Sequence, residues 1–80
     1  MARGRPTKTK RTLFGERLTA ARLEAGLTQT DIARKFHVLQ QTVAKWERNN
    51  VALRPDQLVT LADLLNVSTD YLLGRTTKKR

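Results

Sequence analysis

Four polar side chains lie close together in this sequence and are of types that recognise DNA bases. Gln40 and Gln41 are adjacent, and Thr42 and Lys45 follow them. A glutamine amide can donate to adenine N7 and accept from adenine N6 at once, which gives about 1–3 kcal/mol of discrimination. Lys45 could reach a guanine or a phosphate, and Thr42 could contact a thymine methyl group or bond back to its own helix. The pattern favours a base contact by at least one glutamine over contacts with water or phosphate alone.

Two short helical patterns must position these side chains. Thr28 and Asp31 have the spacing of a capping box, which predicts the start of one helix. A break at residues 37–39 separates it from a second helix over 40–48, which the turn signal Asn49-Asn50 follows. The apolar positions that would pack these helices together are Ile32, Ala33, Phe36, Val43 and Trp46. Two short helices on one core, the second exposing amide and ammonium groups, indicate a helix-turn-helix.

Three more helices are predicted around this pair. Thr12 is a plausible N-cap for a first helix that runs to about Ala25 and ends at Gly26. Its predicted core positions are Phe14, Leu18, Ala21 and Ala25. Pro55 or Asp56 opens a fourth helix. Its apolar stripe and its final residue are Leu58, Leu61, Ala62, Leu65 and Asn66. A short fifth helix, containing Tyr71, Leu72 and Leu73, is bounded by Ser68, Asp70 and Gly74. No segment alternates as a strand would, so we predict an all-α, compact five-helix bundle.

The composition excludes several classes of protein. Eighty residues form one small domain, and the absence of cysteine rules out disulfides and thiolate metal sites. No apolar run is long enough to cross a membrane, which predicts a soluble, cytoplasmic protein. No nucleophile–base pair, metal cluster or phosphate loop is evident, so we expect neither enzyme activity nor a cofactor. His37 has no second ligand or base near it in the sequence, so it is interpreted as a turn residue.

The net charge of +9 comes entirely from the two ends of the chain. Residues 1–11 carry +5 and residues 75–80 carry +4, whereas the residues between them sum to zero. This pattern predicts a disordered basic arm over 1–11, a domain over 12–74 and a disordered basic tail over 75–80. Basic arms beside a neutral domain indicate a polyanion partner rather than a device for solubility alone.

The chain resembles the phage repressor and Cro type of helix-turn-helix domain over about residues 13–74. The motifs that carry the resemblance are F14–L18–R22, G26-L27-T28-Q29, I32-A33, T42-V43, W46-E47 and L65-N66-V67-S68-T69-D70-Y71-L72-L73-G74. The resemblance implies a lambda-repressor-like bundle whose third helix enters the major groove. It also implies a structural ion pair between Arg22 of the first helix and Glu47 of the third.

Three positions depart from the pattern of these domains. His37 and Asn49 occupy positions that usually carry glycine, and both residue types tolerate a left-handed backbone. Leu39 occupies the place of a Ser or Thr that commonly caps the third helix, so that cap is expected to be lost at a cost of about 1 kcal/mol. The departure at Leu39 leaves open which glutamine points into the groove.

The resemblance also places contacts to the DNA backbone. Thr28 and Gln29 lie at a helix N-terminus, where free N–H groups favour a phosphate. Arg48, Asn50 and Arg54 follow the third helix, where similar domains hold the backbone; the alternative for each is a solvated surface side chain.

The N-terminal arm contains a second motif. Arg3, Gly4, Arg5 and Pro6 resemble the core of an AT-hook, an extended peptide that lies in narrow A·T-rich minor grooves. The alternative is an arm that contacts DNA by charge alone. Eleven residues span at most ~36 Å, enough to reach a groove beside the third helix.

These features predict a transcriptional regulator that binds a double-stranded operator as a homodimer, with repression as the expected outcome. Dimer contacts are expected around Tyr71 and Leu72 of the fifth helix, with half-sites about one helical turn apart. Two alternatives remain open: an antitoxin or adaptor that acts mainly through a toxin or co-regulator protein, and an architectural protein that binds A·T-rich DNA through its arm.

Overall fold

Five α-helices form the part of the protein that the structure describes, which confirms the predicted all-α class. The computed structural model describes residues 12–49 and 53–80, and of Asn49 only the backbone. The helices are α1 (Leu13–Glu24), α2 (Gln29–Phe36), α3 (Gln40–Asn49), α4 (Pro55–Leu65) and α5 (Thr69–Leu73). Within the described ranges there is no strand, and none of the helices there is both long and apolar enough to cross a membrane.

Side-chain caps start the helices at the predicted residues. The Thr12 hydroxyl accepts from the Gly15 N–H at 3.0 Å, which begins α1. At the start of α2, the Asp31 N–H donates to the Thr28 hydroxyl at 3.0 Å and the Thr28 N–H donates to the Asp31 carboxylate at 2.8 Å. This is the predicted capping box, and its two bonds satisfy backbone donors that a helix start leaves without partners. The hydrogen bonds from Thr28 lower the pKa of Asp31.

Four of the helices end in the same way. A residue with positive φ follows the helix, and the next backbone N–H donates back to a carbonyl in the last turn, as in the Schellman motif. The left-handed residues are Gly26 (φ 75°), His37 (φ 57°), Asn66 (φ 60°) and Gly74 (φ 82°). His37 therefore adopts the left-handed backbone expected of a turn residue. The tight turn that follows lets α3 begin three residues later.

The start of α3 has no side-chain oxygen to cap it. Leu39 immediately precedes the helix, and its carbonyl oxygen accepts from the Thr42 N–H at 2.9 Å. The leucine side chain cannot accept a hydrogen bond from the orphan N–H groups of the first turn. At its other end α3 includes Asn49 as its last residue. The rest of the turn predicted at Asn49-Asn50 lies outside the described residues.

The remaining helices begin and end as the sequence predicts. Pro55 is the first residue of α4, where its missing N–H costs nothing. The Gln57 side chain accepts from the Arg54 N–H at 3.0 Å. Ser68 caps α5 by accepting from the Tyr71 N–H at 3.0 Å.

One core joins all five helices. Its buried members are Phe14, Leu18, Ala21, Ile32, Ala33, Val43, Trp46, Leu61, Ala62, Leu65, Val67, Tyr71 and Leu72. Phe36 is partly buried and packs edge-on against Trp46, with ring centroids 5.6 Å apart. Both aromatic rings therefore belong to the core rather than to a surface for stacking bases. The expectation for Ala25 was wrong: it is exposed, because it lies at the helix end where the chain already turns away.

The structure also corrects the predicted exposure of α5. Leu72 is fully buried and Tyr71 is 8% exposed, so neither offers a surface to a second molecule. The exposed member is Leu73, at 51%. The Arg17 guanidinium lies 4.5 Å from the centre of the Tyr71 ring and also donates to the Tyr71 carbonyl at 2.8 Å. These contacts fix α5 against α1.

Residues 75, 76 and 79 of the segment that the sequence predicts to be a disordered tail contact the helices. The Ser68 N–H donates to the Lys79 carbonyl at 2.6 Å, and the Lys79 ammonium lies 2.9 Å from the Glu24 carboxylate. Arg17 donates to the Thr76 carbonyl at 2.5 Å. Because these contacts are to backbone carbonyls and to one exposed acid, no apolar residue in the tail could have signalled them.

Candidate nucleic-acid interface

The third helix presents one buried side and one polar, exposed side. Val43 and Trp46 face the core. Gln41, Lys45 and Arg48 are exposed and are spaced at i, i+4 and i+7, which aligns them along a single face of the helix. An amide, an ammonium and a guanidinium on one face offer several hydrogen-bond donors and two positive charges, which suit the negative potential of a DNA groove. Gln40 is also exposed, whereas Thr42 is half-buried and offers less of its side chain.

Gln40 is held by a side chain of the neighbouring helix. Its amide nitrogen donates to the Gln29 side-chain oxygen at 2.5 Å. The Gln29 amide nitrogen in turn donates to the Glu47 carboxylate at 3.0 Å. The first residue of α2 therefore connects the first residue of α3 to a buried carboxylate near the end of α3. This chain of hydrogen bonds restricts the orientation of the Gln40 amide before any DNA is bound.

Glu47 is the anchor of that chain, and it is 4% exposed. Arg22 Nε lies 2.6 Å from Glu47 Oε2, and Arg22 Nη2 lies 3.4 Å from Oε1. The Thr19 hydroxyl lies 2.9 Å from Oε1. The third Arg22 nitrogen, Nη1, donates to the Leu27 carbonyl at 2.9 Å, in the segment between α1 and α2. Arg22 and Glu47 thus form the ion pair that ties the third helix to the first.

The same contacts set the ionisation of Glu47. Burial acts to raise the pKa of this carboxyl, but the hydrogen bonds from Arg22, Gln29 and Thr19, together with the charge of Arg22, outweigh it. The pKa of Glu47 therefore lies below its ordinary value, and the carboxylate is ionised at neutral pH. The ionised carboxylate accepts from all three of these side chains.

This lowered pKa predicts a loss of stability in acid. Because the unfolded chain binds a proton at Glu47 more readily, the contribution of Glu47 to the free energy of unfolding is complete above the unfolded pKa of about 4.3. It is lost as the pH falls through the lower pKa of the folded state. We expect urea unfolding between about pH 6 and pH 2.5 to show a steeper decline for the wild type than for Glu47→Gln. Parallel pH profiles for the two proteins would contradict the assignment.

The predicted phosphate contacts lie around this helix pair. Thr28 is exposed at the start of α2, and its hydroxyl oxygen accepts the capping bond while its proton stays available for a phosphate oxygen. Arg48 is exposed near the end of α3. Arg54 is exposed just before α4 and lies 3.3 Å from the Asp56 carboxylate, which lowers the pKa of Asp56. A phosphate would have to compete with that carboxylate for Arg54.

Other predicted site residues lie outside the described part of the chain. They are Asn50 and the arm residues Arg3, Gly4, Arg5 and Pro6. For Gln29 the structure adds a role that sequence reasoning missed. The phosphate contact expected of Gln29 stays a prediction, and in the structure its side chain also joins Gln40 to Glu47. The sequence feature that could have indicated this role is a glutamine at the first position of each of two helices that pack together.

Comparison with known proteins agrees with this geometry. The Helix-turn-helix family matches residues 18–72, a span that includes α2, α3 and the turn between them. The chain is similar to the HTH-type transcriptional regulator ImmR of Bacillus subtilis (strain 168), with 43% identity over 62 residues. The match covers 78% of this chain and 49% of the relative, so the chain spans about half the length of that protein. The chain belongs to the helix-turn-helix family.

Proposed function

We propose that this protein is a sequence-specific, double-stranded DNA-binding transcriptional regulator that acts as a repressor. The observation that carries the proposal is the exposed amide of Gln40, which Gln29 holds in place against the buried Glu47. Fixing a long polar side chain before binding reduces the entropy lost on binding, which favours a base contact. The family and the similarity to a transcriptional regulator support the same function.

The geometry of Gln40 is compatible with adenine. Its amide nitrogen carries two protons, and Gln29 accepts one of them. The second proton and the amide oxygen remain for adenine N7 and N6, the two partners of a bidentate contact. Gln41 and Lys45 lie along the adjacent exposed face and would contact the following bases or the phosphates beside them. Gln40 therefore has the clearest part in selecting the sequence.

Contacts to the DNA backbone would supply affinity and register. Thr28 and the N–H groups at the start of α2 would hold one phosphate, and Arg48, Asn50 and Arg54 would hold others. The arm with its RGRP motif would add affinity from a neighbouring minor groove or by charge alone. A homodimer on an inverted repeat would place two copies of α3 in successive major grooves. Repression would follow from occupation of the operator.

Selection from a random double-stranded pool at near-physiological salt tests this function. We expect an inverted repeat to be enriched, and a protein lacking residues 1–11 to select the same repeat with weaker affinity. Enrichment of A·T-rich sequence alone, lost on truncation, would instead mean that the arm dominates and the protein is architectural. Binding of a protein partner without any selected DNA would favour an adaptor.

The role of Gln40 is tested on the selected operator. We expect Gln40→Ala to weaken binding by about 1–3 kcal/mol and to relax the preference at one base pair per half-site. Gln29→Ala should produce a smaller loss at the same base pair, because it frees the Gln40 amide to rotate. The double variant should bind no worse than Gln40→Ala, since Gln29 acts through Gln40. Additive losses would show that the two glutamines act independently.

A further inference from the structure

Residues 75–80, which carry four positive charges, lie along α1 and form what we call the strap. The Arg17 guanidinium donates to a carbonyl oxygen of the strap at 2.5 Å. The Ser68 N–H donates to the Lys79 carbonyl at 2.6 Å, and the Lys79 ammonium lies 2.9 Å from the Glu24 carboxylate. The strap therefore has a defined position, in which two of its four cations are paired with acids of the domain.

This docked position lies on the side of α1 that faces away from α3. The residues of α1 that lie against Glu47 of α3 are Gly15, Thr19 and Arg22. Their spacing of four and three residues places them on one face of the helix. Arg17 and Glu24, which hold the strap, each follow a member of that face by two residues, a rotation of about 200° around the helix. The docked strap is therefore separated from α3 by the whole width of α1, and its charges are directed away from the surface that α3 forms.

The strap nevertheless begins close to the end of α3. Gly74, the residue before it, lies directly against the Leu13 side chain. Two residues further along α1, Gly15 lies against the Glu47 carbonyl in the last turn of α3. Six extended residues span about 20 Å. A strap released from α1 can therefore reach phosphates beside Arg48, which is exposed at this end of α3.

We propose that the strap is autoinhibitory: it is docked on α1 in the free protein, where its cations are withheld from DNA, and released onto phosphates beside the end of α3 in the complex. This assignment rests on the proposed function and adds a control of affinity to it. The docked contacts are polar, and the side chains of the Lys79–Glu24 pair are 52% and 63% exposed, so a phosphate can replace the carboxylate. Because breaking the docked contacts opposes binding, the strap lowers the affinity for DNA below what its charges would otherwise give.

Amide hydrogen exchange at Ser68 follows the strap directly. The Ser68 N–H donates to the Lys79 carbonyl in the docked position and loses that acceptor on release. We expect exchange at Ser68 to accelerate severalfold when the selected operator is added. Since cover by DNA would slow exchange, acceleration distinguishes release from contact. The control is the Tyr71 N–H, which donates to the Ser68 hydroxyl at 3.0 Å and should exchange at an unchanged rate. Unchanged or slower exchange at Ser68 would overturn the assignment.

A pair of substitutions separates release of the strap from a simple change of charge. Glu24→Gln removes the partner of Lys79 and should strengthen binding to a duplex without the operator by up to about fivefold, the equivalent of one exposed ion pair. Lys79→Gln already lacks that pair, so adding Glu24→Gln to it should change binding only by the effect of one charge. Glu16→Gln is the matched control. Glu16 is an exposed acid of α1 that forms no ion pair within the described ranges, so its effect should be the same with and without Lys79→Gln. An effect of Glu24→Gln that is equally large in both backgrounds would refute the autoinhibition.

The salt dependence of binding identifies what the released strap contacts. Each phosphate contact adds about 0.9 to the slope of the logarithm of affinity against the logarithm of salt concentration. Replacing Lys78, Lys79 and Arg80 together by alanine should therefore make the slope shallower by about 2–3. An unchanged slope would mean that the strap stays docked, which contradicts the assignment. If no duplex of any sequence binds, the proposed function fails together with the strap, whereas an operator that binds without faster exchange at Ser68 contradicts the strap alone.

Discussion

Replacing Arg22 with alanine is expected to lower the free energy of unfolding by about 3–5 kcal/mol, the cost of leaving one member of a buried ion pair without the other. The side chains of Arg22 and Glu47 are only 12% and 5% exposed. Without the guanidinium, the Glu47 carboxylate keeps the weaker donors Gln29 and Thr19, and the Leu27 carbonyl loses the hydrogen bond from Arg22. A domain of this size has a total stability of about 4–12 kcal/mol, so the variant should lose between a quarter of that stability and all of it, and its melting temperature should fall by well over 10 °C.

Thermal and urea unfolding measure this effect, and two further variants sharpen it. Arg75→Ala removes an arginine from an exposed pair with Asp70, in which the side chains are 74% and 64% exposed and 3.9 Å apart. This substitution should lower the free energy of unfolding by less than about 1 kcal/mol. Arg22→Lys keeps the charge but has one nitrogen in place of three, so it cannot bond Glu47 and Leu27 together. Its loss of stability should therefore lie between those of Arg75→Ala and Arg22→Ala. A melting temperature lowered by only a degree or two in Arg22→Ala would contradict the buried pair.

The same pair links stability to recognition. Glu47 accepts from Arg22 on the scaffold side and from Gln29 on the side of the DNA-binding surface. Gln29 then fixes Gln40. An ionised Glu47 therefore holds α3 on α1 and orients Gln40, the glutamine that we propose as the base contact.

Much of the fold could be predicted because it depends on local interactions. A hydroxyl that accepts from the third helical N–H, as at Thr12, Thr28 and Ser68, depends only on neighbours in the sequence. The left-handed backbone at His37 is likewise a local property of the turn. The apolar spacing of α4 identified Leu61, Ala62 and Leu65, which are all buried.

The parts that could not be predicted depend on how the helices are placed in space. α5 is only five residues long, too short for its apolar spacing to show which of Tyr71, Leu72 and Leu73 faces outward. The bond between Gln29 and Gln40 joins residues eleven apart, and its existence depends on the angle between α2 and α3. The sequence therefore predicted which residue types form the site, whereas the hydrogen bond between Gln29 and Gln40 became evident only from the tertiary structure.

A glycine inside α1 gives the clearest case where sequence reasoning and structure predict opposite results. Gly15 is the third residue of α1, where alanine would ordinarily stabilise a helix by about 1 kcal/mol. In the structure, a Cβ at Gly15 would overlap the Glu47 carbonyl oxygen and lie 2.8 Å from the Glu47 carbonyl carbon. Because these are backbone atoms of α3, no side chain can rotate away to make room.

We therefore expect Gly15→Ala to lower the free energy of unfolding by about 2–3 kcal/mol in spite of its better helix propensity, since overpacking of this kind costs about 1–3 kcal/mol and occasionally more. Gly26→Ala is the matched control. Its φ of 75° disfavours alanine, but no atom lies within 4 Å of the added Cβ, so only the left-handed backbone cost of about 1–2 kcal/mol applies. Gly15→Ala should also weaken operator binding in the fraction that stays folded, because α3 must move away from α1 and carry Glu47 with it. An alanine at residue 15 that raised the melting temperature would show that α1 and α3 do not approach this closely.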